Sequence, residues 1–260
     1  MNLPEDLQQL VLKLAREMDT LGLAAFETSS PVQLERPGAI EKPADLAPWI
    51  EHTMLKPQAT SQDIVKLCNE AKQFGFHSVC VNPCFVQEAR QELTGTNYSV
   101  ISVIGFPLGA TLTSVKVEET KEVIKLGADE VDMVIAIGPL KDKDYKKVYQ
   151  DIRSVVVAAS TIPVKVIIET ALLEYEEKVA ACLLAKRAGA AFVKTSTGFV
   201  HNGGAKKEDV SLMRAVVGNR IGVKAAGGIR DFNTACEMLK AGANRLGCSL
   251  SVHIVSSKVE

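Results

Sequence analysis

Four ionisable side chains interrupt the most apolar stretches of this chain. Asp132 stands in Val131-Asp132-Met133-Val134 and Lys165 in Val164-Lys165-Val166-Ile167-Ile168. Lys194 ends Ala190-Ala191-Phe192-Val193-Lys194, and Lys224 stands in Val223-Lys224-Ala225-Ala226. Lysine is among the residues least often buried without a partner. A single such lysine is read most simply as a packed stem whose ammonium reaches solvent past the end of a strand. The sharper reading is a desolvated amine whose pKa has fallen, able to attack a carbonyl and form a Schiff base. Four such groups on successive strands shift the weight to the second reading. Parallel strands lie about 4.8 Å apart, so lysines at matching heights on neighbouring strands are close neighbours. A nearby ammonium and burial both lower the pKa of an amine. Lys194 is then the candidate nucleophile and Lys224 the group that depresses its pKa. Asp132 is the candidate for moving protons to and from carbon or a bound water. A structural ion network is the competing reading of the same four residues.

A second group of residues is rich in glycine and hydroxyls: Thr195-Ser196-Thr197-Gly198, His201-Asn202-Gly203-Gly204, Ala226-Gly227-Gly228 and Gly247-Cys248-Ser249. Backbone N–H groups left open by glycine, together with a helix N-terminus, can hold a phosphate without any net charge on the protein. A tight turn explains each Gly-Gly pair equally well. Metal chemistry has little support. The four histidines, His52, His77, His201 and His253, show no His-x-x-x-His spacing, and Cys80 and Cys84 have no second pair to join them. A hydrogen bond within a barrel mouth is one reading of His52 and a satisfied structural histidine the better one; Cys80 reads as a thiol near that mouth. No Gly-x-Gly-x-x-Gly fingerprint is present, which argues against hydride transfer.

These residues need a frame that brings them together. From about residue 49 onward, short apolar runs alternate with helix-length amphipathic runs, the pattern of parallel strands joined by helical crossovers. The strand candidates are 49–55, 78–82, 98–105, 130–137, 164–169, 191–195, 221–225 and 244–247. Helical patterns fall at 61–74, 113–126, 145–159, 175–188 and 231–240. Leu126-Gly127-Ala128, Ala188-Gly189-Ala190 and Ala241-Gly242-Ala243 each put glycine where a helix would end, before the next strand. Eight strands in 260 residues point to an α/β fold, a (β/α)8 TIM barrel, with an open doubly wound sheet as the second choice. In such a barrel the chemistry gathers at the C-terminal ends of the strands.

Residues 1–44 read as an N-terminal extension and residues 45–260 as the barrel domain. The extension holds an amphipathic helix over 3–22, with Leu3, Leu7, Leu10, Leu14 and Met18 at helical spacing, and a turn-rich linker through Thr28-Ser29-Ser30-Pro31. It would serve as an end cap or an oligomer contact. Hydrophobic content of 47% with 23% charged residues is enough for a large core. The 30 basic and 31 acidic residues leave a net charge of -1, which makes no electrostatic case for nucleic acid or an anionic membrane as partner. No apolar run reaches the length of a membrane span. The N-terminus lacks the basic and apolar regions of a signal peptide. Cys68, Cys80, Cys84, Cys182, Cys236 and Cys248 are scattered and read as reduced and mostly buried, so a cytoplasmic location is expected.

The motifs His52-Thr53-Met54-Leu55-Lys56, Ser78-Val79-Cys80-Val81-Asn82-Pro83, Val103-Ile104-Gly105-Phe106-Pro107-Leu108-Gly109 and Glu130-Val131-Asp132-Met133-Val134 follow one another in order. Lys165-Val166-Ile167-Ile168-Glu169-Thr170, Phe192-Val193-Lys194-Thr195-Ser196-Thr197-Gly198 and Val223-Lys224-Ala225-Ala226-Gly227-Gly228-Ile229-Arg230 continue the series. This series resembles the deoxyribose-phosphate aldolase family, class I aldolases of the barrel fold, from about residue 45 to the end. The resemblance implies reversible cleavage of 2-deoxy-D-ribose 5-phosphate to acetaldehyde and D-glyceraldehyde 3-phosphate, in deoxyribose phosphate catabolism. It implies no metal or organic cofactor, and a homodimer or homotetramer. By motif position it makes Lys194 the Schiff-base lysine, Lys224 the pKa-lowering group and Asp132 the proton donor and acceptor, working through a water. It places Gly198, Gly203, Gly204, Gly227, Gly228 and Ser249 at the phosphate. Three departures stand out. Glu51 replaces the aspartate common before the His-Thr pair, and its longer arm would turn a hydrogen bond toward Lys224. Phe199 follows the Thr-Ser-Thr-Gly run where some members have lysine. The chain ends Ser256-Ser257-Lys258-Val259-Glu260, without the tyrosine that some members carry. A Schiff-base barrel acting on another sugar phosphate, and a non-catalytic sugar-phosphate-binding barrel, are the alternative readings.

Overall fold

Eight parallel strands close on themselves in chain order, β8 pairing with β1. They are β1 (Ile50–Met54), β2 (Ser78–Val81), β3 (Ser99–Ile104), β4 (Glu130–Val134), β5 (Val164–Ile167), β6 (Phe192–Lys194), β7 (Gly222–Ala226) and β8 (Arg245–Cys248). The helices are α1 (Glu5–Thr20), α2 (Ser61–Phe74), α3 (Val86–Glu92), α4 (Thr113–Lys125), α5 (Ile137–Lys141), α6 (Tyr145–Ala159), α7 (Tyr175–Arg187), α8 (Lys207–Val217), α9 (Phe232–Lys240) and α10 (Ser251–Ser256). This computed structural model describes residues 4–26, 34–35 and 37–257. Leu3, the Thr28-Ser29-Ser30-Pro31 part of the linker and Lys258-Val259-Glu260 lie outside the described residues.

The fold is the TIM barrel that the strand and helix pattern leads one to expect, and the closed sheet removes the open doubly wound alternative. Gly127, Gly189 and Gly242 all hold positive φ at the turn from helix to strand. Two strands end more than one residue short of expectation. β4 ends at Val134 because the chain turns into α5 at Ile137. β5 ends at Ile167 because Glu169 adopts a left-handed backbone, φ 56 and ψ 66. Helix α8 follows a glycine-rich loop in a stretch where no helical pattern was singled out, although Val210, Met213, Val216 and Val217 are buried at helical spacing.

Strand alternation decides what the barrel holds. Val131, Val166, Val193 and Val223 face the helices and join the main core. Their neighbours Asp132, Lys165, Lys194 and Lys224 therefore face inward. Leu55, Cys80, Ile101 and Val103 form a separate buried group, with Phe106 packed against it. The interior is thus apolar on the side of β2 and β3 and ionic on the side of β4–β7.

The N-terminal helix is not a cap on one end of the barrel. It lies along the flank of the barrel, in the same direction as α7: Lys13 pairs with Glu176 at 3.1 Å, and Asp19 with Arg187 at 2.7 Å. Leu7, Leu14 and Met18 are buried in the main core, each contributing about 1.5–3 kcal/mol by apolar burial. Arg187 also donates to the Leu23 carbonyl at 2.7 Å, and the Tyr149 hydroxyl donates to the Ala24 carbonyl at 2.8 Å.

Candidate active site

Pairing between strands sets the heights of the candidate residues. Asp132 is the Cα partner of Lys165, and Lys194 is the Cα partner of Lys224. The lysines of β6 and β7 are direct neighbours, as strand spacing alone suggested. All four side chains are essentially out of solvent. Their polar ends meet at Asp132. Lys194 Nζ donates to Asp132 Oδ2 at 2.8 Å, Lys224 Nζ donates to the same oxygen at 2.6 Å, and Lys165 Nζ donates to Oδ1 at 3.0 Å.

Two further carboxylates complete the cluster. Glu51 of β1 reaches across the closed barrel and pairs with Lys224, and lies 3.5 Å from Lys165. The longer arm at this position does turn toward Lys224. Glu130, two residues before Asp132 on the same face of β4, pairs with Lys165. Strand alternation alone carried the signal for Glu130, which was not among the expected site residues.

The three lysines are therefore not equivalent. Among the described residues Lys165 meets three carboxylates, Lys224 two and Lys194 only one. Their proton affinities follow that order of surroundings. Burial pulls the Lys165 pKa down, but Asp132, Glu130 and Glu51 outweigh it and hold the ammonium well above its ordinary range. Burial likewise opposes Lys224, and Asp132 with Glu51 overcomes it, so its pKa is raised. At Lys194 burial prevails over the single attraction of Asp132, with Lys224 repelling in the same sense, and the pKa is lowered. Burial would raise the Asp132 pKa, but Lys165, Lys194 and Lys224 together hold it well below the carboxylate range. Glu51 is lowered too, because Lys165 and Lys224 outweigh its burial.

Lys194 opens onto a cleft of about 350 Å³ at the C-terminal ends of the strands. Thr197, Gly198, Gly227, Gly228 and Ser249 line that cleft. Among the described residues the amides of Gly198 and Gly228 have no hydrogen-bond partner. Gly203 and Gly204 belong elsewhere and do not line the cleft. Gly204 packs behind Gly227, where an added Cβ would lie 2.8 Å from the Gly227 carbonyl oxygen, and Gly203 faces Val200 and Ala171. Gly247 of β8 has a use the motifs did not show. A Cβ there would come within 3.1 Å of the Lys224 stem, so the glycine leaves room for that lysine.

Phe199 lines the cleft and meets Phe106 edge to face, with ring centroids 5.2 Å apart. Lys56 and Arg230 line the same cleft and are the cations that sequence reasoning passed over, because both read as loop residues. His52 is not in the barrel mouth. It points outward from β1, bonded to Ser251 Oγ through Nδ1 and to Glu70 through Nε2, both at 2.8 Å. Burial lowers its pKa against the attraction of Glu70. Cys80 is likewise inside the barrel rather than at its mouth, and burial raises its thiol pKa. Of the six cysteines only Cys84 is exposed.

Among the described residues no group of three or more His, Cys, Asp or Glu side chains is placed to hold a metal ion. Among them too, no helix is long and apolar enough to cross a membrane. The arrangement can present a neutral amine at the floor of a cleft, with a protonated lysine and a carboxylate beside it. That is the equipment for covalent attack on an aldehyde.

A family model described as DeoC/LacD family aldolase matches residues 47–252. A deoxyribose-phosphate aldolase from Thermotoga maritima is 55% identical over 216 residues, covering 83% of this chain and 87% of that protein. Another from Thermococcus kodakarensis is 59% identical over 215 residues, covering 81% of this chain and 96% of that protein. Among solved structures, a tetrameric deoxyribose phosphate aldolase from Aeropyrum pernix superposes with a TM-score of 0.77 at 33% identity, covering 85% of this chain and 93% of that one.

Proposed function

The chain belongs to the DeoC/LacD aldolase family, and from that premise we propose that it reversibly cleaves 2-deoxy-D-ribose 5-phosphate to acetaldehyde and D-glyceraldehyde 3-phosphate through a Schiff base on Lys194. The observation that carries this reading is the inequality of the three lysines. Of these three only Lys194 has a lowered pKa, and it lies at the cleft.

The neutral amine of Lys194 attacks C1 of the open-chain sugar, and loss of water leaves a protonated imine. Removal of the C3 hydroxyl proton lets the C2–C3 bond break. Its electron pair moves into the imine, leaving an enamine on Lys194 and the aldehyde of D-glyceraldehyde 3-phosphate. Protonation of the enamine at C2 and hydrolysis release acetaldehyde and restore the amine. Asp132, bonded to both Lys194 and Lys224, carries the proton through a water, and Lys224 is held protonated to supply it. No step needs a metal or an organic cofactor.

The phosphate would lie in the cleft against the Gly198 and Gly228 amides, with Gly227 and Ser249 beside it. Arg230 and Lys56 supply the positive charge that Phe199 does not. Gly203 and Gly204 would support this wall from behind. A role in deoxyribose phosphate catabolism, a cytoplasmic location and an assembly of two or four copies belong to the same proposal. The tetrameric Aeropyrum pernix relative supports the last of these.

Borohydride reduction in the presence of acetaldehyde tests the mechanism. It is expected to leave a stable adduct on the peptide containing Lys194, and Lys194→Ala is expected to abolish both adduct and turnover. An adduct on another lysine, or normal turnover by the variant, refutes the assignment. Release of another aldehyde, with none from deoxyribose 5-phosphate, would move the reading to a different sugar phosphate.

A further inference from the structure

Glu169 is buried and takes part in none of the lysine pairs of the active site. Its left-handed backbone is uncommon for a residue with a side chain and costs on the order of 1–3 kcal/mol, tolerated where the surroundings enforce it. Glycine would adopt this conformation freely but would bring no carboxylate. The carboxylate has a definite use. Glu169 Oε2 accepts the Thr197 N–H at 3.0 Å and also accepts the Thr197 hydroxyl. Thr197 Oγ1 in turn accepts the Phe199 N–H at 3.1 Å.

The neighbours of Glu169 show what this chain of bonds continues. The Ile168 N–H donates to the Lys194 carbonyl at 3.0 Å, and the Thr170 N–H donates to the Thr195 carbonyl at 2.9 Å. Backbone bonds thus anchor Lys194 and Thr195 to the end of β5. They do not reach Thr197, Gly198 or Phe199, which wall the cleft. There the Glu169 side chain takes over.

We propose that Glu169 is the positioning residue of the phosphate end of the cleft: acting through Thr197, its carboxylate sets the 197–199 turn opposite Gly227 and Gly228 without touching Lys194. The inference rests on the aldolase reading of the cleft, and its test separates the two. Glu169→Gln keeps a carbonyl oxygen able to accept both Thr197 bonds, whereas Glu169→Ala removes them. Glu169→Ala is expected to raise KM for 2-deoxyribose 5-phosphate about tenfold with kcat within about threefold, and to leave KM for unphosphorylated 2-deoxyribose within about twofold. Glu169→Gln is expected to stay near the parent on both sugars. Equal losses on both sugars, an unchanged KM in Glu169→Ala, or a Gln variant as impaired as the Ala variant overturns the proposal. If Glu169→Ala fails to fold by circular dichroism, Thr197→Val must show the same split between the two sugars, and its absence is equally decisive. Amide hydrogen exchange at Phe199 provides a readout that needs no substrate. It should quicken in Glu169→Ala and Thr197→Val and return to the parent rate in Glu169→Gln, and unchanged exchange overturns the proposal. A parent protein that cleaves neither sugar sinks the aldolase reading, and the exchange measurement then decides Glu169 alone.

Discussion

Replacing Lys224 with methionine nearly keeps the side-chain volume and removes one of the two ammoniums that share Asp132 Oδ2. Both nitrogens lie within hydrogen-bond distance of that one oxygen, at 2.8 and 2.6 Å, so they are at most about 5.4 Å apart. At an effective dielectric of about 20, two unit charges at that separation repel by about 3 kcal/mol. Releasing that repulsion lets Lys194 hold its proton more firmly, and Asp132 Oδ2 is left to Lys194 alone. At neutral pH the fraction of neutral amine should fall by about 100-fold, since each 1.4 kcal/mol is a factor of ten. The assay is the pH dependence of borohydride-trapped imine with acetaldehyde, read by mass. In the parent, imine formation should rise with pH as Lys194 loses its proton, beginning below the ordinary lysine range because its pKa is lowered. In Lys224→Met this rise should move to higher pH, and the parent rate should be approached again in alkaline solution. That recovery separates an electrostatic effect from a damaged site. A loss of the same size at every pH, or a rise that stays where it was, refutes the argument.

Lys165 sits among three carboxylates and is expected to hold the cluster together rather than to react. Lys165→Met should lower unfolding stability by about 3–5 kcal/mol in a denaturant titration, because Glu130, Glu51 and Asp132 lose a buried partner. An unchanged midpoint would show that the network is already relieved by solvent. Arg230→Leu should raise KM for the phosphorylated sugar on the order of fivefold and leave the unphosphorylated sugar unaffected, with the difference shrinking at high salt. Equal effects on both sugars would remove Arg230 from the phosphate.

Much of the architecture was legible because its signals are local and periodic. Apolar runs of strand length, amphipathic runs between them and the Gly-Ala endings at Gly127, Gly189 and Gly242 each report on a few neighbouring residues. The strand ends were read less well. At Glu169 the left-handed turn depends on a carboxylate meeting Thr197 on the next strand end, and no run of residues around position 169 announces it. Gly203 and Gly204 failed in the opposite way. A glycine pair signals either an anion nest or close packing, and only the Gly227 carbonyl behind Gly204 shows that packing won. The N-terminal helix was legible as amphipathic, but its burial against α7 depends on Arg187 and Glu176, far away in sequence.

The choice of nucleophile shows most sharply what spacing can and cannot deliver. Three lysines on consecutive strands are plain in the sequence, and by burial alone each would be depressed alike. What distinguishes them is how many carboxylates each can reach. Glu130 reaches Lys165 by simple alternation along β4 and across to β5. Glu51 reaches Lys224 only because β8 closes onto β1 and brings the first strand beside the last. Without closure Lys224 would meet Asp132 alone, as Lys194 does, and the two lysines would compete for the same proton on equal terms. Glu51 breaks that symmetry by giving Lys224 a second anion, which raises the Lys224 pKa while burial leaves that of Lys194 lowered. If the proposed Schiff base forms on Lys194, the carboxylate that favours it over Lys224 lies on the strand most distant from both in sequence and need not touch the substrate at all.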